Sequence, residues 1–206
     1  MPIYNAPLAD MKFILNDVFQ AEQFWQSNEN LAHVDAATAE AILEEMAKFA
    51  QNVTHPLNRT GDEEGAKIEN GQVTTPAGFK DAFRQYAEGG WIGLAADEEW
   101  GGQGMPKMLT VLADEMLFAT NPSFMLYPLL SVGAGMALNS YASQEQKETY
   151  LPKIYSGEWS GTMCLTEPHA GTDLGIIKTK AERNEDGTYN ITGTKIFITG
   201  GDHDLG

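Results

Sequence analysis

The sequence predicts an α+β fold: an N-terminal all-α helical bundle followed by an incomplete antiparallel β-barrel or sandwich. Three observations carry this. Apolar residues recur at helical spacing through about residue 157. From Trp159 the period shortens to alternation, and Ser156-Gly157 marks the break. Within the second part, Asn184-Glu-Asp-Gly187 supplies a hairpin signal, because Asp-Gly readily takes the positive φ angles of a tight turn.

The helices follow in order. Residues 8–19 place Met11, Ile14, Leu15 and Val18 on one face, after Pro7. A polar connector leads to 36–53, where Ile42, Met46, Phe49 and Val53 repeat the pattern behind Asp35 as N-cap. Thr54 to Thr75 is polar and turn-rich, and reads as a long loop. Thr75-Pro76 has the favoured N-cap and N1 order for a helix carrying Phe79, Phe83 and Tyr86. Glycine-dense turns at 89–93 and 98–104 follow it. Two further helices are expected over roughly 106–119 and 122–140. The second is apolar all round (Phe124, Leu126, Leu129, Leu130, Val132, Met136), which predicts burial on most faces. Ser143-Gln-Glu-Gln146 has capping-box form and opens a short helix through Tyr155. Strands are expected at 161–167, 176–184, 188–193 and 194–199. The chain thus divides into an extension with one helix (1–34), a helical domain (35–158) and the start of a β-domain (159–206).

Composition narrows the function. The formal charge is −16, from 29 acidic and 13 basic residues. Nucleic-acid binding needs a basic face, so it is not expected. An anionic ligand would have to be held by local backbone N–H groups and a few cations. A single Cys164 allows no internal disulfide, and the four scattered histidines have no metal-ligand spacing, so no metal site is expected. No stretch approaches the roughly 18 uninterrupted apolar residues of a membrane span. The opening residues lack the form of a signal peptide, and a cytoplasmic location is the default expectation.

Two β-type runs, ending in threonines and small residues, can present amides and hydroxyls to a flat, polar-edged ligand. They are Met163-Cys-Leu-Thr-Glu-Pro-His-Ala-Gly-Thr-Asp173 and Gly193-Thr-Lys-Ile-Phe-Ile-Thr199. Taken singly, Thr166 or Thr199 would be read as β-formers and Phe197 as core. Together with Thr179-Lys-Ala-Glu182, these runs resemble the flavin-binding middle domain of the acyl-CoA dehydrogenase family. Gly90-Trp-Ile-Gly-Leu94, Trp100-Gly-Gly-Gln-Gly104, the segment 145–153 and Ser156-Gly-Glu-Trp159 resemble that family's N-terminal helical domain. The resemblance runs from about residue 35 onward. The opening Met1-Pro-Ile-Tyr-Asn-Ala-Pro-Leu8, His169 and the 201–205 segment look like a bacterial subgroup with longer chains.

The resemblance implies FAD as cofactor and α,β-dehydrogenation of an acyl-CoA thioester to the trans-2-enoyl-CoA, with hydride passing to flavin N5. It implies cofactor contacts from Met163, Leu165, Thr166, Gly171, Thr172, Phe197, Ile198 and Thr199. Leu165 backbone and the Thr166 hydroxyl would meet the pyrimidine edge. Gly171 and Thr172 would lie by the pyrophosphate and the thioester chain, making Thr172 a substrate contact too. Thr199 would donate towards N5, and Phe197 stands where many relatives carry tryptophan. Read from the residues themselves, Glu167 and Asp173 order the loop rather than act as bases, His169 serves the turn, and Lys178 and Lys180 form a solvated strand face, with contact to CoA phosphates as the alternative. The resemblance also implies electron-transferring flavoprotein as acceptor and a homodimer or homotetramer. In the family the catalytic base is a glutamate from a C-terminal domain, so no residue here is assigned that role and the chain by itself is expected to lack turnover. An acyl-CoA oxidase, a non-catalytic flavin or acyl-CoA binding module of the same fold, and a helical bundle fused to an unrelated β-domain are the alternatives.

Overall fold

The computed structural model describes residues 3–206; the Met1-Pro2 start of the opening signature lies outside the described residues. Helix α1 (Leu8–Phe13) runs directly into a π-helical turn (Ile14–Val18), so the expected 8–19 helix forms with one wide turn. The polar connector then holds a helix that the sequence pattern hid, α2 (Ala21–Gln26), anchored by a fully buried Trp25. Helix α3 (Ala36–Phe49) starts where expected, with the Asp35 carboxylate accepting from Thr38 N–H at 2.7 Å.

The long loop expected over 54–75 is overturned. A π-helical turn (Ala50–Thr54) carries α3 straight into α4 (His55–Glu64). Pro56 has no N–H and its ring crowds the carbonyl one turn earlier, the usual reason for a helix to stop. Here it sits in the first turn of α4, and the wide π turn before it takes up the misfit. The carbonyl of Thr54 is taken by Asn121 Nδ2 at 3.2 Å, and the Thr54 and Thr120 hydroxyls meet at 2.8 Å. After α4, strands β1 (Lys67–Glu69) and β2 (Gln72–Thr74) form a hairpin, with Asn70 and Gly71 both at positive φ. Thr75-Pro76 does not open the next helix. Helix α5 (Phe79–Glu88) begins behind Gly78 at φ 87°, and the Thr75 hydroxyl instead donates to Asp204 at 2.7 Å.

Helices α6 (Lys107–Thr120), α7 (Pro122–Tyr141) and α8 (Gln144–Tyr155) lie close to their expected bounds. The capping box is present: Gln146 N–H donates to Ser143 Oγ, and Ser143 N–H to Gln146 Oε1. The core gathers side chains from α1 through α7, with Phe124 at its centre against the rings of Phe49, Phe79 and Tyr86. Burial of α7 on most faces is not observed. One side packs through Phe124, Met125, Ser131 and Gly135, whereas Leu126 and Met136 are exposed.

The β part is also thinner than expected. Strands β3 (Lys180–Arg183) and β4 (Tyr189–Thr192) form an antiparallel hairpin closed by Asn184–Gly187, with Gly187 at φ 88°. Residues 161–167 and 194–199 make no strand: Phe197 is left-handed and Thr199 lies in a turn. Among the described residues, their ladder-type features are an isolated Glu167–Ala170 bridge and the bond described below. Among the described residues the sheets are two-stranded ribbons, and no barrel closes.

Candidate functional site

The two extended segments singled out above lie side by side. Ile196 N–H donates to the Thr166 carbonyl at 2.9 Å, and the Thr162 hydroxyl to the Thr199 carbonyl at 2.6 Å. Lys195 Nζ donates to the Leu165 carbonyl and to Glu167 Oε1, both at 2.9 Å. The pair is moored to the helical layer through Gly161, whose N–H donates to Ser131 Oγ at 3.0 Å on α7. Gly161 is needed there, because an added Cβ would sit 2.6 Å from the Ala134 methyl.

Glu167 is the post around which the loop is wound. It is buried, and its carboxylate accepts from Lys178 N–H at 2.8 Å, Thr179 N–H at 2.9 Å and Lys195. The Thr179 hydroxyl lies beside the carboxylate without reaching hydrogen-bond geometry. That hydroxyl, the two amides and the ammonium together hold the Glu167 carboxyl far below the usual carboxylate range. Asp173 accepts from Gly175 N–H at 3.0 Å, and His169 Nε2 lies 3.1 Å from the Ile176 carbonyl. Both acidic residues therefore order the loop, and His169 ties the turn. Lys180 is paired with Glu182 at 2.8 Å.

What remains is a set of unengaged donors beside exposed apolar side chains. The hydroxyls of Thr166 and Thr199, and the N–H groups of Leu165, Thr166, Ile198 and Thr199, have no partner in the chain among the described residues. Met163, Leu165, Phe197 and Ile198 are exposed alongside them. Phe197 is 86% exposed and holds a left-handed backbone, φ 56°. Gly171 lies next to the Thr166 methyl, with 3.9 Å to an added Cβ. Thr172 is exposed and makes no side-chain hydrogen bond, so the structure does not join it to the 197–199 segment. An open cleft of about 430 Å³ borders the pair, between Trp159, Thr162, Gly200 and His203.

The clasp between Glu167 and Lys195 was not singled out from the sequence. Its signal in the sequence is a lone lysine heading a short apolar run, Lys195-Ile-Phe-Ile198, next to a segment that carries an acid, Glu167.

The sequence profile of the acyl-CoA dehydrogenase N-terminal domain matches residues 36–158. The chain is 43% identical over 202 residues to 3-methylmercaptopropionyl-CoA dehydrogenase of Ruegeria pomeroyi, covering 98% of this chain and 34% of that protein. Among solved structures, butyryl-CoA dehydrogenase of Megasphaera elsdenii superposes with a TM-score of 0.67 at 27% identity, over 79% of this chain and 41% of that one. An acyl-CoA dehydrogenase of Bacillus anthracis complexed with FAD gives a TM-score of 0.64 at 25% identity, over 81% and 27%. The chain spans about a third of the length of the curated relatives it matches.

Proposed function

The chain belongs to the acyl-CoA dehydrogenase family, and we propose that it builds one wall of an FAD site serving the α,β-dehydrogenation of an acyl-CoA thioester. The observation that carries this reading is the Ile196 N–H to Thr166 carbonyl bond. It brings two threonine-bearing segments together, and several of their amides and hydroxyls have no partner in the chain among the described residues. The residues fit the group. A flavin ring offers apolar faces and a polar edge, and this surface offers apolar Met163, Leu165 and Phe197 beside free donors from Leu165, Thr166 and Thr199.

FAD, when bound, supplies the hydride acceptor of the family reaction. The chain's own part is positioning. Fixed amides and hydroxyls at the ring's polar edge favour negative charge there, because they need no reorganisation when that charge develops. Glu167 and Lys195 keep the two segments in register, and Gly161 fixes them to α7. On this reading Met163, Leu165, Thr166, Gly171, Phe197, Ile198 and Thr199 contact cofactor, and Thr172 contacts cofactor pyrophosphate and the thioester chain. The division of the chain near 158/159, a soluble cytoplasmic setting, a homo-oligomer and electron-transferring flavoprotein as electron acceptor belong to the same proposal. Among the described residues, no helix is long and apolar enough to cross a membrane.

The test is spectroscopic. The intact gene product is expected to carry a flavin absorbance that bleaches anaerobically on adding an acyl-CoA. Thr166→Ala and Thr199→Val are each expected to weaken FAD retention or shift its potential, by roughly the tenfold effect of one lost hydrogen bond. Absence of any flavin binding by the intact protein would overturn the reading.

A further inference from the structure

A second cavity lies inside the helical layer, away from the flavin-facing segments. It measures about 130 Å³, opens to solvent past Met136, and is lined by α5, α6, α7, Tyr155 of α8 and the loop at 91–97. Its α7 wall is Leu129, Val132 and Met136, whereas Ser131 and Ala134, which receive Gly161, stand on another side of that helix. The cavity therefore raises a question independent of flavin binding.

Its walls are of two kinds. Trp91, Leu129 and Val132 give apolar surface, and Tyr86 and Asp114 bring a hydroxyl and a carboxyl. Neither polar group has a hydrogen-bond partner in the chain among the described residues. Burial pushes the Asp114 carboxyl up to about 6, countered by the charge of Lys107 on the same wall; burial, and then Asp114, pushes the Tyr86 hydroxyl up. A partly desolvated acceptor beside a hydroxyl without a partner in the chain calls for a hydrogen-bonding occupant. A ligand that donates to Asp114 and fills the apolar remainder meets that need. The Lys107 charge already faces the carboxyl, so a second full cation has less to gain than a neutral donor.

We propose that this cavity is a binding site for a small neutral molecule with an aliphatic body and a hydroxyl head, an aliphatic alcohol. Its hydroxyl donates to Asp114 and exchanges a hydrogen bond with Tyr86, and its carbons lie on Trp91, Leu129 and Val132. The volume sets the size. A dry cavity of about 150 Å³ holds benzene, so this one holds about five non-hydrogen atoms.

The experiment is a titration of the isotope-labelled protein with 1-butanol, butylamine and butyrate, following the Trp91 indole N–H and the Met136 methyl by NMR. Butanol is expected to shift both signals saturably, at roughly millimolar concentration for about five non-hydrogen atoms. Butylamine and butyrate are expected to bind more weakly. Asp114→Ala should weaken butanol by roughly tenfold. Met136→Trp alters an exposed residue at the cavity wall, spares the core and should block entry. Shifts that never saturate, butanol binding unchanged in both variants, or tighter binding of butylamine would each overturn the assignment, the last in favour of an organic-cation site. None of these outcomes depends on whether the protein holds flavin.

Discussion

Asp114 carries a testable pH dependence. Its folded carboxyl titrates at about 6, against an ordinary value of 3.8, chiefly through burial. Lys107 on its own helix opposes the shift, while Tyr86 of α5 and Asp97 of the 91–97 loop share its cavity. A raised carboxyl is stabilising in its protonated form. That contribution is complete below 3.8 and is lost as pH rises through about 6. Asp114→Asn keeps the shape without the charge. It is expected to melt higher than the parent near pH 7 and level with it near pH 4, as followed by circular dichroism. A variant less stable than the parent near pH 7 would show that the ionised carboxylate is favourably held. Asp114 could not be found from sequence, because nothing in Leu112-Ala-Asp-Glu-Met116 distinguishes it from a solvated helical acid. Thr166 and Thr199 stand out only as a joint pattern, since each alone is an ordinary strand residue.

At the scale of elements, Asn121 joins two helices that the sequence separates. Its carboxamide oxygen accepts from Phe124 N–H at 3.0 Å to cap α7, and its nitrogen donates to the carbonyl at the end of the π turn. It is 1% exposed. Asn121→Ala leaves a buried amide and a buried carbonyl without partners, and is expected to cost about 2–3 kcal/mol in urea unfolding. A cost under about 0.5 kcal/mol would mean that water replaces both bonds. The same junction explains what was legible. Helices α3, α6, α7 and α8 follow from periodicity and caps, which are local. The α3–α4 continuation depends on Asn121, 67 residues from Thr54, and no local rule reports it. The β1–β2 hairpin was legible, since Asn70-Gly71 is a strong two-residue turn signal, but it lay within a segment whose polarity read as loop. Residues 161–167 and 194–199 show the opposite error. Their composition suits strands, but a strand exists only through partners, and one backbone bond joins the two.

Across the whole molecule, the segment that follows α8 is fixed to the helical layer through single side chains. Ser131, which receives Gly161, is one, and Asp204 is another, its carboxylate accepting the Thr75 N–H at 3.0 Å and hydroxyl at 2.7 Å across 129 residues of sequence. Leu205 beside it enters the core. Asp204→Ala is expected to release residues 200–206 and to speed hydrogen exchange at the Thr75 amide roughly tenfold, with slower amides in α3 and α6 unchanged. Uniform acceleration would instead show that the contact supports global stability. The division into a helical and an extended half was legible because hydrophobic period is a property of long stretches. How the halves meet was not, because it rests on single side chains such as Ser131, Thr75 and Asp204. Phe197 sets a solvent-facing ring on a left-handed backbone. That conformation costs on the order of 1 kcal/mol, and glycine would remove the cost. Phe197→Gly is expected to raise the melting temperature and to loosen flavin, so durability and use pull opposite ways at this position. A chain shaped for permanence alone would have put the smaller residue there.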